Sequence, residues 1–268
     1  MINVLTAVGV LFALGVVCAI ALALASFYMS VPTDEKESAI RDCLPGINCG
    51  ACGFSGCDGY AKALAGSKAP TNLCIPGGSS VAKEIASILG TKATEVERKL
   101  AYVHCNGTSE VTDTSSNYDG LRSCAAMCLV CGGPNKCKFG CLGCGDCAKA
   151  CPTEAIRITD RVARVDPEKC IGCGKCVKIC PKSIISIIPA SAGVAVACSS
   201  RDTGAVTRKN CTNGCIACKR CEKICPHGAI AVTDNLATID YTKCTACGKC
   251  RDVCPVGCIE REDFAKRK

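Results

Sequence analysis

The stretch CLGCGDCAKACP, Cys141–Pro152, decides how this chain is read. Its cysteines are spaced C-x2-C-x2-C-x3-C with a proline next, and CIGCGKCVKICP, Cys170–Pro181, repeats that spacing. Both recur 74 residues later, as CIACKRCEKICP, Cys215–Pro226, and CTACGKCRDVCP, Cys244–Pro255. Three cysteines on so tight a loop wrap three corners of an iron–sulfur cube, and the fourth, carried off by the proline turn, reaches the other cube of a pair. The spacing therefore groups Cys141, Cys144, Cys147 and Cys180 around one cluster, and Cys170, Cys173, Cys176 and Cys151 around its neighbour. The second copy groups Cys215, Cys218, Cys221 and Cys254, then Cys244, Cys247, Cys250 and Cys225.

The residues between the motifs agree. Ala155–Thr159 and Val162–Asp166 alternate apolar and polar around Asp160-Arg161, as do Ala229–Thr233 and Leu236–Asp240 around Asp234-Asn235, so each module carries a small hairpin. Zinc sites and disulfide scaffolds also use CxxC runs, but they lack the x3-C-P ending and the doubled register.

Thirty cysteines in 268 residues suit a reducing compartment only if most of them hold metal. An oxidised secreted chain is the other way to carry so many, but cluster ligands are thiolates and are assembled under reducing conditions. With no Trp, five Phe and five Tyr, each module leans on its clusters as much as on an apolar core. The formal charge of +8 counts every thiol as neutral. A cubane with four thiolates carries about −2, so five of them bring the total to about −2. Lys138, Lys149, Lys175, Lys178, Lys182, Lys219, Arg220, Lys223, Lys249 and Arg251 lie in or beside the cluster loops. They either offset cluster charge or form a docking surface for an acidic electron carrier. Nucleic acid is not an expected partner, because the aromatic platforms used for single strands are missing.

Residues 1–33 carry no charge, and Val4–Met29 is almost wholly apolar, long enough to cross a bilayer as one helix. Ala23-Leu24-Ala25 resembles a signal-peptide cleavage site, but such a peptide has a basic start and a shorter apolar core. Lys36 and Arg41 follow the span and nothing positive precedes it, which places the bulk of the chain on the cytoplasmic side of the cell membrane. Directly after the span, Cys49, Cys52, Cys57 and Cys74 form a different array, C-x2-C-x4-C-x16-C, rich in glycines that let backbone bend around a fifth cube. Asp58–Ala65 reads as a short helix between Cys57 and Cys74. Ser79 or Ser80 reads as the cap of a helix over Val81–Leu89 stopped by Gly90, and Thr94–Tyr102 reads as a second helical segment. Thr108–Asp119 reads as a polar loop, and Ile184–Ile188 as a short strand.

Ten cysteines lie outside these assignments: Cys18, Cys43, Cys105, Cys124, Cys128, Cys131, Cys137, Cys198, Cys211 and Cys258. Cys137 and Cys211 belong to the 74-residue repeat. Either replaces a neighbouring ligand or joins Cys105, Cys124 and Cys198 in a sixth cluster; otherwise these are buried free thiols. His104 and His227 read as ordinary polar residues. The expected fold class is α+β. A transmembrane helix occupies 1–31, a small helical 4Fe-4S domain 32–90 and a connector 91–136. Ferredoxin-like module 1 occupies 137–188, a linker 189–210 and module 2 211–268.

Taken in order, these elements resemble one family, the iron–sulfur B subunit of the Rnf complex, a membrane-bound ferredoxin:NAD oxidoreductase. The resemblance rests on the N-terminal span, NCGACGFSGC at 48–57 with CIPGG at 74–78, VHCNG at 103–107, GGP at 132–134, CKFGCLGCGDC at 137–147 and VACSS at 196–200. Two modules joined through VACSS resemble the longer form of that subunit. In the family the position of Cys144 is often another residue and Cys137 completes the set, whereas here both are cysteines; Cys128 and Cys131 are additions. The resemblance implies that reduced ferredoxin docks on the distal modules. Electrons then pass to the Cys49–Cys74 cluster and on to an iron–sulfur centre between integral-membrane partner subunits. Flavin-bearing partners carry them to NAD, and the complex couples this to sodium or proton export. This chain has no G-x-G-x-x-G after a strand and no P-loop, and no residue reads as acid, base or nucleophile. A membrane-anchored polyferredoxin serving a hydrogenase or a redox-sensor reductase, and a zinc-holding scaffold, are the rival readings.

Overall fold

The computed structural model of the chain describes residues 2–28, 35–130 and 132–261. Met29 at the end of the expected span, residues 30–34, Cys131 and the tail 262–268 lie outside the described residues. Helix α1, Ile2–Tyr28, has 27 residues. At about 1.5 Å per residue it is some 40 Å long, enough to cross the roughly 30 Å apolar layer of a bilayer. Val8, Leu11, Phe12 and Leu14 are all exposed, so this part of the helix has an apolar surface with no protein against it.

Three helices then fold on one another: α2 Glu35–Cys43, α3 Cys57–Ala65 and α4 Gly78–Leu89. Ile40, Leu44, Tyr60, Leu64 and Ile85 make their common core. Helix α4 begins earlier than its serines suggest, behind Gly77 rather than at Ser79 or Ser80. The serines have other duties: Ser80 Oγ donates to Gly77 O at 3.2 Å, and Ser79 Oγ accepts from Val96 N at 3.3 Å. Gly90, at φ 66°, ends α4 as expected.

The segment expected as a helix over Thr94–Tyr102 instead leads into strand β1, Lys99–Val103. Leu100, Ala101, Tyr102 and Val103 are all buried, on both faces, which an amphipathic surface helix would not allow. A short helix, α5 Cys124–Leu129, follows the polar loop. Module 1 comprises α6 Asp146–Lys149, β2 Ile156–Thr159, β3 Val162–Val165, α7 Lys175–Ile179 and β4 Ile185–Pro189. The β2–β3 hairpin turns on Asp160 and Arg161, at φ 46° and 64°, the left-handed pair that matches strand twist. Strand β4 pairs antiparallel with β1, from Lys99↔Pro189 to Val103↔Ile185.

The linker contributes β5 Val194–Val196 and α8 Gly204–Asn210. Module 2 repeats the plan with α9 Arg220–Ile224, β6 Ile230–Thr233, β7 Leu236–Ile239, α10 Lys249–Asp252 and β8 Ile259–Arg261. Its β8 pairs with β5. Each module therefore borrows a strand from the segment before it. Leu100, Tyr102, Ile188, Ala190, Ala195 and Ala197 join the two borrowed strands in a shared core. Tyr102 Oη donates to Glu260 Oε2 across it at 2.8 Å. His104 places Nδ1 2.8 Å from Val196 O and Nε2 2.6 Å from Ser186 Oγ, so it is a buried polar tie.

Candidate iron–sulfur centres

In the domain that follows α1, the loop before α3 is shaped by Asn48, Gly50 and Gly53, all at positive φ. Asn48 Oδ1 accepts from Cys57 N at 2.8 Å and so fixes the start of α3. Tyr60 Oη donates to Pro70 O at 2.7 Å and accepts from Leu73 N at 3.3 Å, which pins the chain leading to Cys74. A side chain at Gly77 would meet Val81 Cβ at 2.8 Å and Cys74 Sγ at 3.1 Å, so the backbone can come this close only as glycine. Burial pushes the Cys74 thiol up, the Gly77 amide opposes this, and Cys57, Cys49 and Cys52 push it further. All four thiols of the array are thus gathered in one place.

In module 1, Cys151, Cys170, Cys173 and Cys176 converge, and burial together with the other three pushes Cys176 up to about 12. Ala101 N of β1 donates to Cys170 Sγ at 3.3 Å and Ala155 N to Cys151 Sγ at 3.3 Å. The neighbouring site is a cavity of about 350 Å³ walled by Cys124, Cys141, Cys147 and Cys180 with Val103 and Ile184. Spacing offers Cys124 to a sixth cluster with Cys105 and Cys198, but the structure carries it here. Ser123 Oγ donates to Asp146 Oδ2 at 2.9 Å and Ala125 N donates to the same oxygen at 3.1 Å, which clamps the start of α5 onto the cluster loop. Cys144, expected as a ligand, is not part of this wall. Its sulfur lies 3.8 Å from Met127 Sδ, and burial and its neighbour Cys124 push it up to about 11. Cys137 does not join this set either.

Module 2 gathers Cys215, Cys218 and Cys254 around Cys221, whose thiol is pushed up to about 11 by burial and then by those sulfurs. A cavity of about 350 Å³ is walled by Cys225, Cys244, Cys247 and Cys250, with Ala229 N donating to Cys225 Sγ at 3.3 Å as Ala155 does to Cys151. Cys258 stands where module 1 has Ile184, 74 residues earlier. Its sulfur is 3.7 Å from Cys254 Sγ. The Cys258 thiol draws Cys254 down to about 5 and Cys215 down to about 6.

Cys105, Cys137, Cys198 and Cys211 wall another cavity, of about 450 Å³, between the modules. Cys128 lies on α5, Cys43 ends α2, Cys18 is exposed on α1, and His227 is exposed. These quartets line a cavity or lie close enough for their thiols to act on one another, and several sulfurs accept backbone amides, a donor set that fits a cubane.

These features define a membrane-linked polyferredoxin, an electron carrier built from 4Fe-4S modules. A family model for an Fe-S cluster matches residues 44–76. A 4Fe-4S dicluster domain model matches residues 140–184 and 214–258, and a second one matches 169–230. The B subunit of the Na(+)-translocating ferredoxin:NAD(+) oxidoreductase complex of Acetobacterium woodii is 42% identical over 241 residues, 90% of this chain and 72% of the relative. The proton-translocating counterpart of Clostridium ljungdahlii is 40% identical over 239 residues, 88% and 82% of the two chains. The B subunit of the ion-translocating oxidoreductase complex of Methanosarcina acetivorans is 38% identical over 240 residues, 89% and 91%. The chain belongs to the B-subunit family of the ion-translocating ferredoxin:NAD oxidoreductase complexes, the Rnf family.

Proposed function

We propose that this chain receives electrons from reduced ferredoxin and relays them to integral-membrane partner subunits of an Rnf complex, which couples the transfer to NAD reduction and to Na+ or H+ export. When bound, each cluster supplies one-electron redox chemistry. The chain's own work is to ligate the clusters, order them and decide which are covered. Its proposed ligand sets, from the membrane outward, are Cys49, Cys52, Cys57 and Cys74; Cys151, Cys170, Cys173 and Cys176; and Cys141, Cys147 and Cys180 with Cys124. Next come Cys215, Cys218, Cys221 and Cys254; the last set is Cys225, Cys244, Cys247 and Cys250.

One observation carries the direction. At the outer end Cys218 and Cys247 are exposed, with Lys219, Arg220, Lys223, Lys249 and Arg251 around them. At the inner end Cys173 is buried with Cys49 beside it, and Lys178 Nζ donates to Cys49 O at 2.9 Å. An open basic end suits an acidic soluble donor, and a closed end formed by the array that follows α1 in the sequence suits transfer toward the bilayer. The charge pattern around α1 supports a cytoplasmic location for the modules.

The zinc scaffold is the less favoured reading, because the family models that match the chain are those of an Fe-S cluster and of 4Fe-4S dicluster domains.

The reading is tested with Cys57→Ser in membranes. Clusters of the two modules should remain reducible by ferredoxin, while ferredoxin-dependent NAD reduction should be lost. Normal NAD reduction would refute the proposed order.

A further inference from the structure

The Cys105, Cys137, Cys198 and Cys211 cavity lies at the seam, walled by residues of both modules. Cys137 and Cys211 stand four residues before the first cluster ligand of their modules, as 74-residue equivalents. Cys105 and Cys198 follow β1 and β5, the two borrowed strands. Their surroundings match contact for contact. Cys105 Sγ accepts from Gly107 N at 3.4 Å and from Cys141 N at 3.3 Å. Cys198 Sγ accepts from Ser200 N at 3.4 Å and from Cys215 N at 3.3 Å. Cys137 lies close enough to act electrostatically on all three other thiols.

We propose that these four cysteines hold a sixth 4Fe-4S cluster that joins the two modules. A buried free thiol needs no pair of amide donors, whereas a thiolate bound to iron does. Glycine keeps the wall beside the first of these sulfurs small: a side chain at Gly107 would come within 3.4 Å of Cys105 Sγ and 3.2 Å of Thr112 Cγ2. A cube assembled elsewhere arrives on the thiolates of a carrier; four carrier iron–thiolate bonds break as four to these cysteines form, and the four thiol protons pass to the released thiolates, so the exchange neither adds nor removes an electron.

This inference rests on the relay reading and gives it a missing step. One amide donor on each side belongs to a cluster ligand, Cys141 in module 1 and Cys215 in module 2. The seam cluster therefore adjoins the first cluster of each module. One electron arrives from the module 2 side and one leaves to module 1.

The test is iron and acid-labile sulfide per chain in the anaerobically purified full chain, compared with Cys198→Ala. The wild type should hold about 24 irons with matching sulfide and the variant about 20, with the module signals retained. About 20 irons in both overturns the inference and leaves the relay standing. A colourless wild type defeats the relay itself. Should Cys198→Ala fail to fold, the wild-type count decides alone, about 24 irons in favour and about 20 against.

Discussion

The two ferredoxin-like modules share one cysteine spacing, 74 residues apart, yet their surroundings treat equivalent residues differently. Cys173 of module 1 is buried beside Cys49, while its counterpart Cys247 is exposed. Cys144 is half-buried against Met127 of α5, while its counterpart Cys218 is exposed. Ile184 backs the first cavity of module 1, and Cys258 takes that place in module 2. On the proposed relay, equivalent loops serve as an inner and an outer station through what covers them. Ligand spacing alone is the same in both modules, so only the neighbouring elements distinguish them.

The largest expected effect concerns ligand choice. Cys124→Ala and Cys218→Ala should each lose about four irons, while Cys144→Ala keeps its full complement. Iron counting checks this, and the reverse result for Cys124 and Cys144 would make the modules alike. A smaller effect is expected at Gly143. At φ 72° an added Cβ would come within 2.7 Å of Arg161 O, a backbone atom that cannot swing aside. Gly143→Ala should lower stability by about 1–3 kcal/mol, read from denaturant-induced loss of cluster absorbance. An unchanged midpoint would contradict it, the more so because module 2 carries Ala217 at φ 54° there. The smallest effect is expected for Cys258→Ile, which gives module 2 the residue of module 1. Removing a thiol donor from Cys215 and Cys254 destabilises the more negative reduced form. The potential of that cluster should fall by roughly 20–60 mV in an EPR-monitored titration, with the other clusters unmoved.

Much of this was legible in the residues. The repeat, both hairpins with their Asp-Arg and Asp-Asn turns, the short helix after Cys57 and the apolar N-terminal helix all depend on local pattern. What local pattern could not supply was partnership across the chain. Residues 94–102 are rich in helix formers, and they yield to β1 because β4, far along the chain, offers a strand to pair with. Cys124 reaches its cavity through the Ser123–Asp146 clamp, which spacing does not reveal. Cys105 and Cys198 match in space, but they stand outside the 74-residue period, so the arithmetic that finds Cys137 and Cys211 misses them.

His104 has a mechanical consequence. Its two ring nitrogens hold Val196 and Ser186, one residue from each module's strand pair, and burial keeps the ring neutral. Together with the Tyr102–Glu260 hydrogen bond and the apolar core around Leu100 and Ile188, this ties the strand pair of one module to that of the other. Solvent viscosity is then expected to slow the encounter with the donor more than transfer across the seam.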